Sequence, residues 1–271
     1  YTFPAIRGIQ AGREYYITMC PLRLIPKIFL FDEEELSPEI RAQRTLNRAR
    51  VPQISQYIVN NPKDYVFSAI TASIDGVVEF KSMDQDSNDV TRNGLLKINM
   101  NAKFIINDGQ HRRAAIEQAI KLNPKLGDES IAVVFFLDKG LHRSQQMFSD
   151  LNRYAIRPSR SLGLLYDHRN DMSKIAKLLA IQSEAFKGLV EMERSTLSDR
   201  SRKLFTLSAL YTGCQSLLDL IKSDNFDEAY KVSLEFWDEL AKNFQDWDRV
   251  RKSQITSGEV RRDNIHSHAI A

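Results

Sequence analysis

The sequence is poor in the features that mark several large protein classes. Its 271 residues contain only two cysteines, Cys20 and Cys214, which stand far apart and form no zinc or redox spacing. Two isolated thiols are typical of a reducing compartment, so we expect a cytoplasmic protein. No apolar run approaches the roughly 20 residues that a membrane helix needs, and we expect no membrane partner.

Common catalytic motifs are also missing. The sequence holds no GxxxxGK[ST] loop, no GxSxG elbow and no HExxH pair, and only His266 and His268 of its five histidines stand close together. We therefore predict no metal site and no Walker-type nucleotide site. The net charge is only +3, so any nucleic-acid surface must come from local clusters of basic residues.

The composition is that of a folded protein, with 42% hydrophobic and 27% charged residues. Short β-prone stretches in the first half predict strands at Tyr15–Met19, Phe104–Ile106 and Ile131–Leu137. The last of these is wholly apolar, which predicts an interior strand. Asp75-Gly76, followed by Val77–Phe80, predicts a hairpin turn.

The second half shows mostly helical periodicity. The predicted helices span Arg143–Tyr154, Met172–Phe186, Ser201–Ile221 and Asp227–Phe244. We predict an α/β (α+β) domain over residues 1–160 and a helical bundle over residues 161–271, with the boundary near Pro158 to Asn170. The last residues read like the interrupted start of a helix, so we expect the natural protein to continue beyond Ala271. Trp237 and Trp247 are predicted to lie in the core of the bundle.

A polar turn stands between a predicted strand and a predicted helix. Its sequence is Asp108-Gly109-Gln110-His111-Arg112-Arg113. Glycine permits a tight bend, a helix N-terminus offers unpaired N–H groups, and guanidinium groups match phosphate oxygens. This pattern indicates a phosphate site. A capped turn with solvated arginines explains the same residues equally well.

The string Asp-Gly-Gln-His-Arg resembles the signature of the DGQHR-domain family, and within it the DndB group of DNA sulfur-modification proteins. The preceding strand and following helix resemble the ParB and sulfiredoxin superfamily, whose Gly-x-x-Arg turn matches Gly109 to Arg112. Three further stretches resemble the DndB group, namely Met19–Leu22, Arg41–Ile58 and Phe148–Asn152.

The resemblance implies a ParB/sulfiredoxin-like mixed-sheet domain. It implies that Asp108 to Arg112 bind phosphate or nucleotide, with Asn152 as a pocket partner. It also implies a repressor of the gene cluster that installs phosphorothioate in DNA. Relatives that act in 7-deazaguanine modification suggest hydrolysis instead, in which Asp108 and His111 are catalytic and a nucleotide binds with a divalent cation.

Basic residues cluster in two further places. If Glu39 to Val51 is helical, then Arg41, Arg44 and Arg48 share one face, with Arg50 nearby. Such a stripe can meet successive DNA phosphates, although Glu33 to Glu35 can equally pair with it. The second cluster, Arg153 and Arg157, follows Asn152 directly.

Cys20 is open to two interpretations. A thiol before Pro21 at a strand is either buried and inert, or exposed to DNA or to oxidants. In the exposed interpretation, the thiol of Cys20 contacts DNA or senses oxidation. Cys214 lies in an apolar helical stretch and is predicted to be core.

Three functions are compatible with these observations. The first is a repressor that binds double-stranded DNA in the promoter of its own gene cluster, as a homo-oligomer. The second is an NTPase or nuclease accessory enzyme that uses the DGQHR turn. The third is a module that docks other DNA-modification proteins. The arginine clusters and the resemblance favour the first.

Overall fold

The computed structural model describes residues 1–29, 47–83, 92–137, 141–153, 158–198, 201–222 and 225–252. The chain divides into two compact units, Tyr1–Ala155 and Ile156–Ala271. Each has its own hydrophobic core.

The first unit is built on a sheet. Its elements in chain order are β1 (Thr2–Gln10), β2 (Arg13–Pro21), α1 (Ile25–Ile28), α2 (Arg50–Asn60), β3 (Ile70–Asp75), β4 (Val78–Ser82), β5 (Asn93–Ile98), β6 (Lys103–Asp108), α3 (Gln110–Leu122), β7 (Ser130–Leu137) and α4 (Leu141–Arg153). A 3-10 turn precedes α1 and another precedes β7.

Seven strands form one sheet in the order β4-β5-β1-β2-β7-β3-β6. Every neighbouring pair is antiparallel except β3 and β7, which run parallel. The sheet is therefore mixed, and helices follow it in the chain. This confirms the predicted fold class, and β7 is an interior strand as its apolar sequence predicted.

One face of the sheet forms the core of the first unit. On β2, Tyr16 and Cys20 are buried while Ile17 and Met19 between them are exposed, as expected when alternate side chains point to opposite faces. Neighbouring strands add Phe3, Val133 and Phe135 to the same core. Helix α3 packs on this side through Ala115, Ile116 and Ala119, which are almost fully buried.

Several predicted elements are confirmed and one is wrong. The strands at Tyr15–Met19, Phe104–Ile106 and Ile131–Leu137 are present as β2, β6 and β7. The predicted hairpin at Asp75-Gly76 does not form, because β3 pairs with β6 and β7 whereas β4 pairs with β5. Within the predicted helix from Glu39, the described part is helical from Arg50, and residues 39–46 lie outside the described residues.

The second unit is helical. It contains α5 (Arg160–Tyr166), α6 (Asp171–Gln182), α7 (Leu207–Ile221), α8 (Phe226–Asn243) and α9 (Gln245–Arg251), with a short parallel pair of strands, β8 (Val190–Glu191) and β9 (Phe205–Thr206). Helix α5 falls where the sequence predicted a connection.

Aromatic side chains pack together in the core of the second unit. Trp237 and Trp247 are buried and contact Phe186, and Phe205 packs on Trp247 with 4.8 Å between ring centroids. The indole N–H of Trp247 donates to the carbonyl of Ala185 at 2.9 Å. The predicted core placement of both tryptophans is confirmed. A buried ring of this size removes a large apolar area from water and dominates local stability.

Candidate nucleic-acid interface

The DGQHR turn joins the edge strand β6 to helix α3. Strand β6 ends at Asp108, Gly109 adopts a φ of +106°, and α3 begins at Gln110. This backbone conformation strongly favours glycine, and a Cβ atom at Gly109 would also lie 3.1 Å from Cγ1 of Ile70, closer than an ordinary van der Waals contact. The tight bend predicted from the sequence is present, and Gly109 itself is buried.

Arg112 covers this bend. Its Nη2 donates to Oδ2 of Asp108 at 2.7 Å and to the carbonyl oxygen of Ala69 at 3.1 Å. Among the described residues, its buried Nε has no acceptor. Arg112 therefore closes the turn with its own side chain, and a phosphate that binds here has to share the guanidinium with Asp108.

Arg113 has a structural role. It is only 9% exposed, and its Nε donates to the carbonyl of Phe29 at 2.9 Å. Its Nη1 donates to Glu117 at 2.6 Å and its Nη2 to the carbonyl of Pro26 at 3.3 Å. The guanidinium of Arg113, predicted to bind phosphate, is buried and occupied by these three acceptors.

His111 accepts a hydrogen bond instead of presenting a proton to a ligand. The backbone N–H of Asn47 donates to its Nε2 at 3.1 Å, so that nitrogen is unprotonated. Burial lowers the pKa of His111 below 6.5, and the charges of Arg50 and Arg112 lower it further against the opposing effect of Asp108. The ring is consequently neutral at neutral pH.

The same contact brings the start of α2 beside the start of α3. Arg48 stands in the turn that leads into α2 and Arg50 is the first residue of the helix, and both are exposed. Neither helix has an acidic residue in its first turn or a side-chain cap on its N-cap residue. Two helix N-termini and two exposed arginines therefore meet, which concentrates positive potential at one place. Arg41 and Arg44 lie outside the described residues.

The predicted pocket partner Asn152 lies near the end of α4 and is exposed. Its amide nitrogen donates to the carbonyl of Phe148 at 2.8 Å, within its own helix. Arg153 next to it is also exposed, and Arg157 lies outside the described residues. None of the hydrogen bonds described for Asn152 joins it to the DGQHR turn.

A buried polar network, which sequence reasoning missed, supports the turn from below. Asn107 directly precedes Asp108 and is fully buried. Its amide nitrogen donates to Oγ of Ser73 at 2.7 Å, and its amide oxygen accepts from Oγ of Ser144 at 2.7 Å. The network ties β6 to β3 and to helix α4. An asparagine before a glycine turn usually lies in solvent, so the sequence carries no signal for this role.

A cavity of about 340 Å³ lies beside Arg112. Its walls combine rings, aliphatic groups and a few polar groups, namely Gln53, Ile54, Tyr57, Val66, Phe67, Ser68 and Arg112. The hydroxyl of Tyr57 accepts from the backbone N–H of Val66 at 3.0 Å and fixes one wall. The volume is at the lower end of the range for small-molecule sites.

Cys20 belongs to the core. It is fully buried, and burial raises the pKa of its thiol to about 12. The thiolate is the reactive form, and it is negligible at neutral pH when the pKa is so high. Of the two interpretations of Cys20, the burial of its side chain favours the buried and inert one. Cys214 is also fully buried, as predicted.

The described parts of the chain contain neither a metal-binding cluster nor a membrane-spanning helix. These parts contain no group of three or more His, Cys, Asp or Glu side chains placed to bind a metal. The carboxylate of Asp108, a catalytic group in the enzymatic alternative, is paired with Arg112. No described helix has the length and apolar character to cross a membrane.

Comparison with known protein families places the chain in one of them. The model of the DndB family, described as DNA-sulfur modification-associated, matches residues 3–271. No curated protein matches the chain, and no solved structure does. The family match therefore stands on nearly the whole sequence and spans both structural units.

Proposed function

Because the chain belongs to the DndB family of DNA-sulfur modification-associated proteins, we propose that it binds double-stranded DNA upstream of its own modification genes and represses them. The observation that supports this most is the meeting of the α2 and α3 N-termini beside Arg48 and Arg50. Backbone phosphates are the abundant anions that such a surface attracts, and they supply most of the affinity of a DNA-binding protein.

Arg112 gives the surface a second kind of contact. Its Nη2 is held by Asp108 and Ala69, which fixes the direction of the guanidinium plane. A pre-oriented guanidinium loses little side-chain entropy when it meets a phosphate oxygen. We infer that Arg48 and Arg50 make the main phosphate contacts and that Arg112 adds to them as a fixed positive group.

Binding is tested by fluorescence anisotropy with the upstream DNA of the gene cluster over a range of salt concentrations. We expect affinity to fall steeply with salt, and the double change Arg48→Ala/Arg50→Ala to reduce the salt slope by about 2. The matched control is Arg13→Ala/Arg92→Ala, which removes the same charge from two exposed arginines at other elements. Equal losses in the two double variants would refute the role of the α2 surface.

Repression needs a separate measurement. A reporter gene placed behind the upstream region should be silenced by the wild-type protein and released by Arg48→Ala/Arg50→Ala. The Arg13→Ala/Arg92→Ala control should keep it silent. DNA binding without any change in reporter output would leave the protein a DNA-binding component of the modification system and not a repressor.

The enzymatic alternative gains no support from the turn. Asp108 is paired with Arg112, and Nε2 of His111 accepts the N–H of Asn47. Both candidate catalytic groups are thus engaged within the protein. Phosphate release from nucleotides that disappears in both Asp108→Ala and His111→Ala would reverse this preference.

A further inference from the structure

Asn47 lies in the turn that leads into helix α2, three residues before Arg50. Its carbonyl accepts from the N–H of Arg50 at 3.0 Å, and its side-chain oxygen accepts from the N–H of Ala49 at 3.2 Å. Its own N–H donates to His111. Asn47 is thus hydrogen-bonded to the residues that lead into α2, among which Arg48 and Arg50 stand, and His111 is the described group on α3 that holds it.

His111 does not act alone, since Arg113 in the same helical turn fixes a second segment. Its guanidinium binds the carbonyls of Pro26 and Phe29 at α1. The first turn of α3 thus forms hydrogen bonds with the backbone of two other segments, one at Asn47 and one at α1. Its polar side chains act mainly as a scaffold, and the exposed charge is supplied by the neighbouring helix.

We propose that His111 is a positioning residue for DNA binding, which accepts the N–H of Asn47 and thereby holds Arg48 and Arg50 towards the phosphates. This inference rests on the proposed function. The histidine of the DGQHR motif then orients other residues and does not itself contact DNA.

The state of the imidazole decides whether the contact exists. Neutral His111 carries its proton on Nδ1 and offers Nε2 as an acceptor. Protonation of Nε2 removes the acceptor and places a cation beside Arg50 and Arg112, with Asp108 as the opposing carboxylate. Acidification should therefore release Asn47 and weaken DNA binding. A histidine that touched phosphate would do the opposite, because its imidazolium would bind DNA more tightly.

The test compares wild type, His111→Gln and His111→Ala. The amide oxygen of Gln can accept the N–H of Asn47 and does not titrate, whereas Ala offers no acceptor. DNA affinity is measured from pH 8 to pH 5.5 at constant ionic strength. At pH 8 we expect His111→Gln to bind like wild type and His111→Ala to bind about fivefold more weakly, the effect of one lost hydrogen bond. Towards pH 5.5, wild type should weaken relative to His111→Gln, in step with the fraction of His111 that takes up a proton. Tighter binding of wild type than of His111→Gln at low pH would overturn the proposal.

Amide exchange in the free protein gives a reading that does not depend on DNA. The N–H of Asn47 should exchange slowly in wild type and His111→Gln and faster in His111→Ala at the same pH. Equal exchange in all three would show that His111 does not hold Asn47. If wild type binds no DNA, the proposed function fails and so does the DNA part of this inference, while the exchange rates still decide whether the contact exists.

Discussion

Arg112 lies across Gly109 and pairs with Asp108, with 2.7 Å between Nη2 and Oδ2. The acidic residue that opens the motif thus partly neutralises the arginine that closes it. Asp108 is about half exposed and Arg112 much less so. The pair accordingly lies at the edge of the surface, where a phosphate can compete with the carboxylate for the guanidinium.

The first prediction concerns this competition. Asp108→Asn removes a negative charge next to the proposed DNA surface and keeps an amide oxygen that can accept from Arg112, so the guanidinium stays oriented and no carboxylate competes with phosphate for it. We expect DNA affinity to rise by a factor of several, and stability to fall by no more than about 1 kcal/mol because the pair is partly solvated. Asp75→Asn, at an exposed position on β3, is the control and should change neither quantity. Weaker DNA binding by Asp108→Asn would mean that Asp108 organises the site.

The second prediction concerns the bend. Gly109→Ala places a Cβ atom at a φ of +106° and 3.1 Å from Ile70. We expect it to lower the free energy of unfolding of the first unit by about 2 kcal/mol, because the backbone is strained and the side chains of Ile70 and Arg112 must give way. Gly163→Ala in α5, with no neighbouring atom within 4 Å of the added Cβ, should be neutral or slightly stabilising. Denaturant unfolding measures both, and similar effects at the two glycines would contradict the assigned strain.

The third prediction concerns the buried asparagine. Asn107→Ala leaves Ser73 and Ser144 without their partner, so we expect a loss of about 2–3 kcal/mol in the free energy of unfolding. Ser144→Ala should cost less, about 1–2 kcal/mol, since the amide of Asn107 keeps its hydrogen bond to Ser73. Asn101→Ala at an exposed turn is the control. A loss at Asn107 no larger than at Asn101 would show that the network contributes nothing.

The fourth prediction concerns the two thiols. Burial raises the pKa of both Cys20 and Cys214 to about 12, so neither is a thiolate at pH 8. A disulfide reagent should therefore label neither residue in the native protein, and both after unfolding in denaturant. Mass spectrometry identifies the labelled peptide. Rapid labelling of Cys20 in the native state would show that its thiol is exposed and reactive.

The fifth prediction concerns stability and pH. The pKa of His111 is lowered in the folded state, so the unfolded chain binds the proton more readily. The contribution of neutral His111 to the free energy of unfolding is therefore complete above a pH of about 6.5, the ordinary pKa of histidine. It is lost as the pH falls from there through the lowered pKa of the folded state. The difference in unfolding free energy between wild type and His111→Gln should thus move against wild type on acidification. A difference that stays constant with pH would contradict the assigned neutral state.

Local sequence patterns predicted the parts of the molecule that depend on neighbouring residues. The strand, glycine bend and helix around Gly109 follow from β-propensity, φ preference and helical periodicity, all of which act within a few residues. Strand β1 was missed because Pro4 and Gly8 interrupt its pattern, and β5 because it begins at Asn93-Gly94 in a polar region. The false hairpin at Asp75-Gly76 arose because the sequence does not reveal that β3 pairs with the distant β7.

The roles of the site residues were less predictable for a related reason. Arg112 and Arg113 are adjacent and chemically identical, yet one reaches the surface and the other is buried. The difference comes from carbonyls of Pro26 and Phe29, which lie more than 80 positions away in the chain. The acceptor role of His111 likewise depends on Asn47, which lies 64 positions away. Such long-range contacts leave no periodic mark on the sequence.

The parallel pairing of β3 with β7 also bears on how the protein is made. Strand β6, which leads into the DGQHR turn, pairs with β3, and β3 joins the rest of the sheet through β7. A nascent chain that has not been translated past Leu137 therefore lacks the strand that connects these two to β2. The turn therefore joins the finished sheet only after β7, one of the last strands of the first unit to be synthesised, is in place.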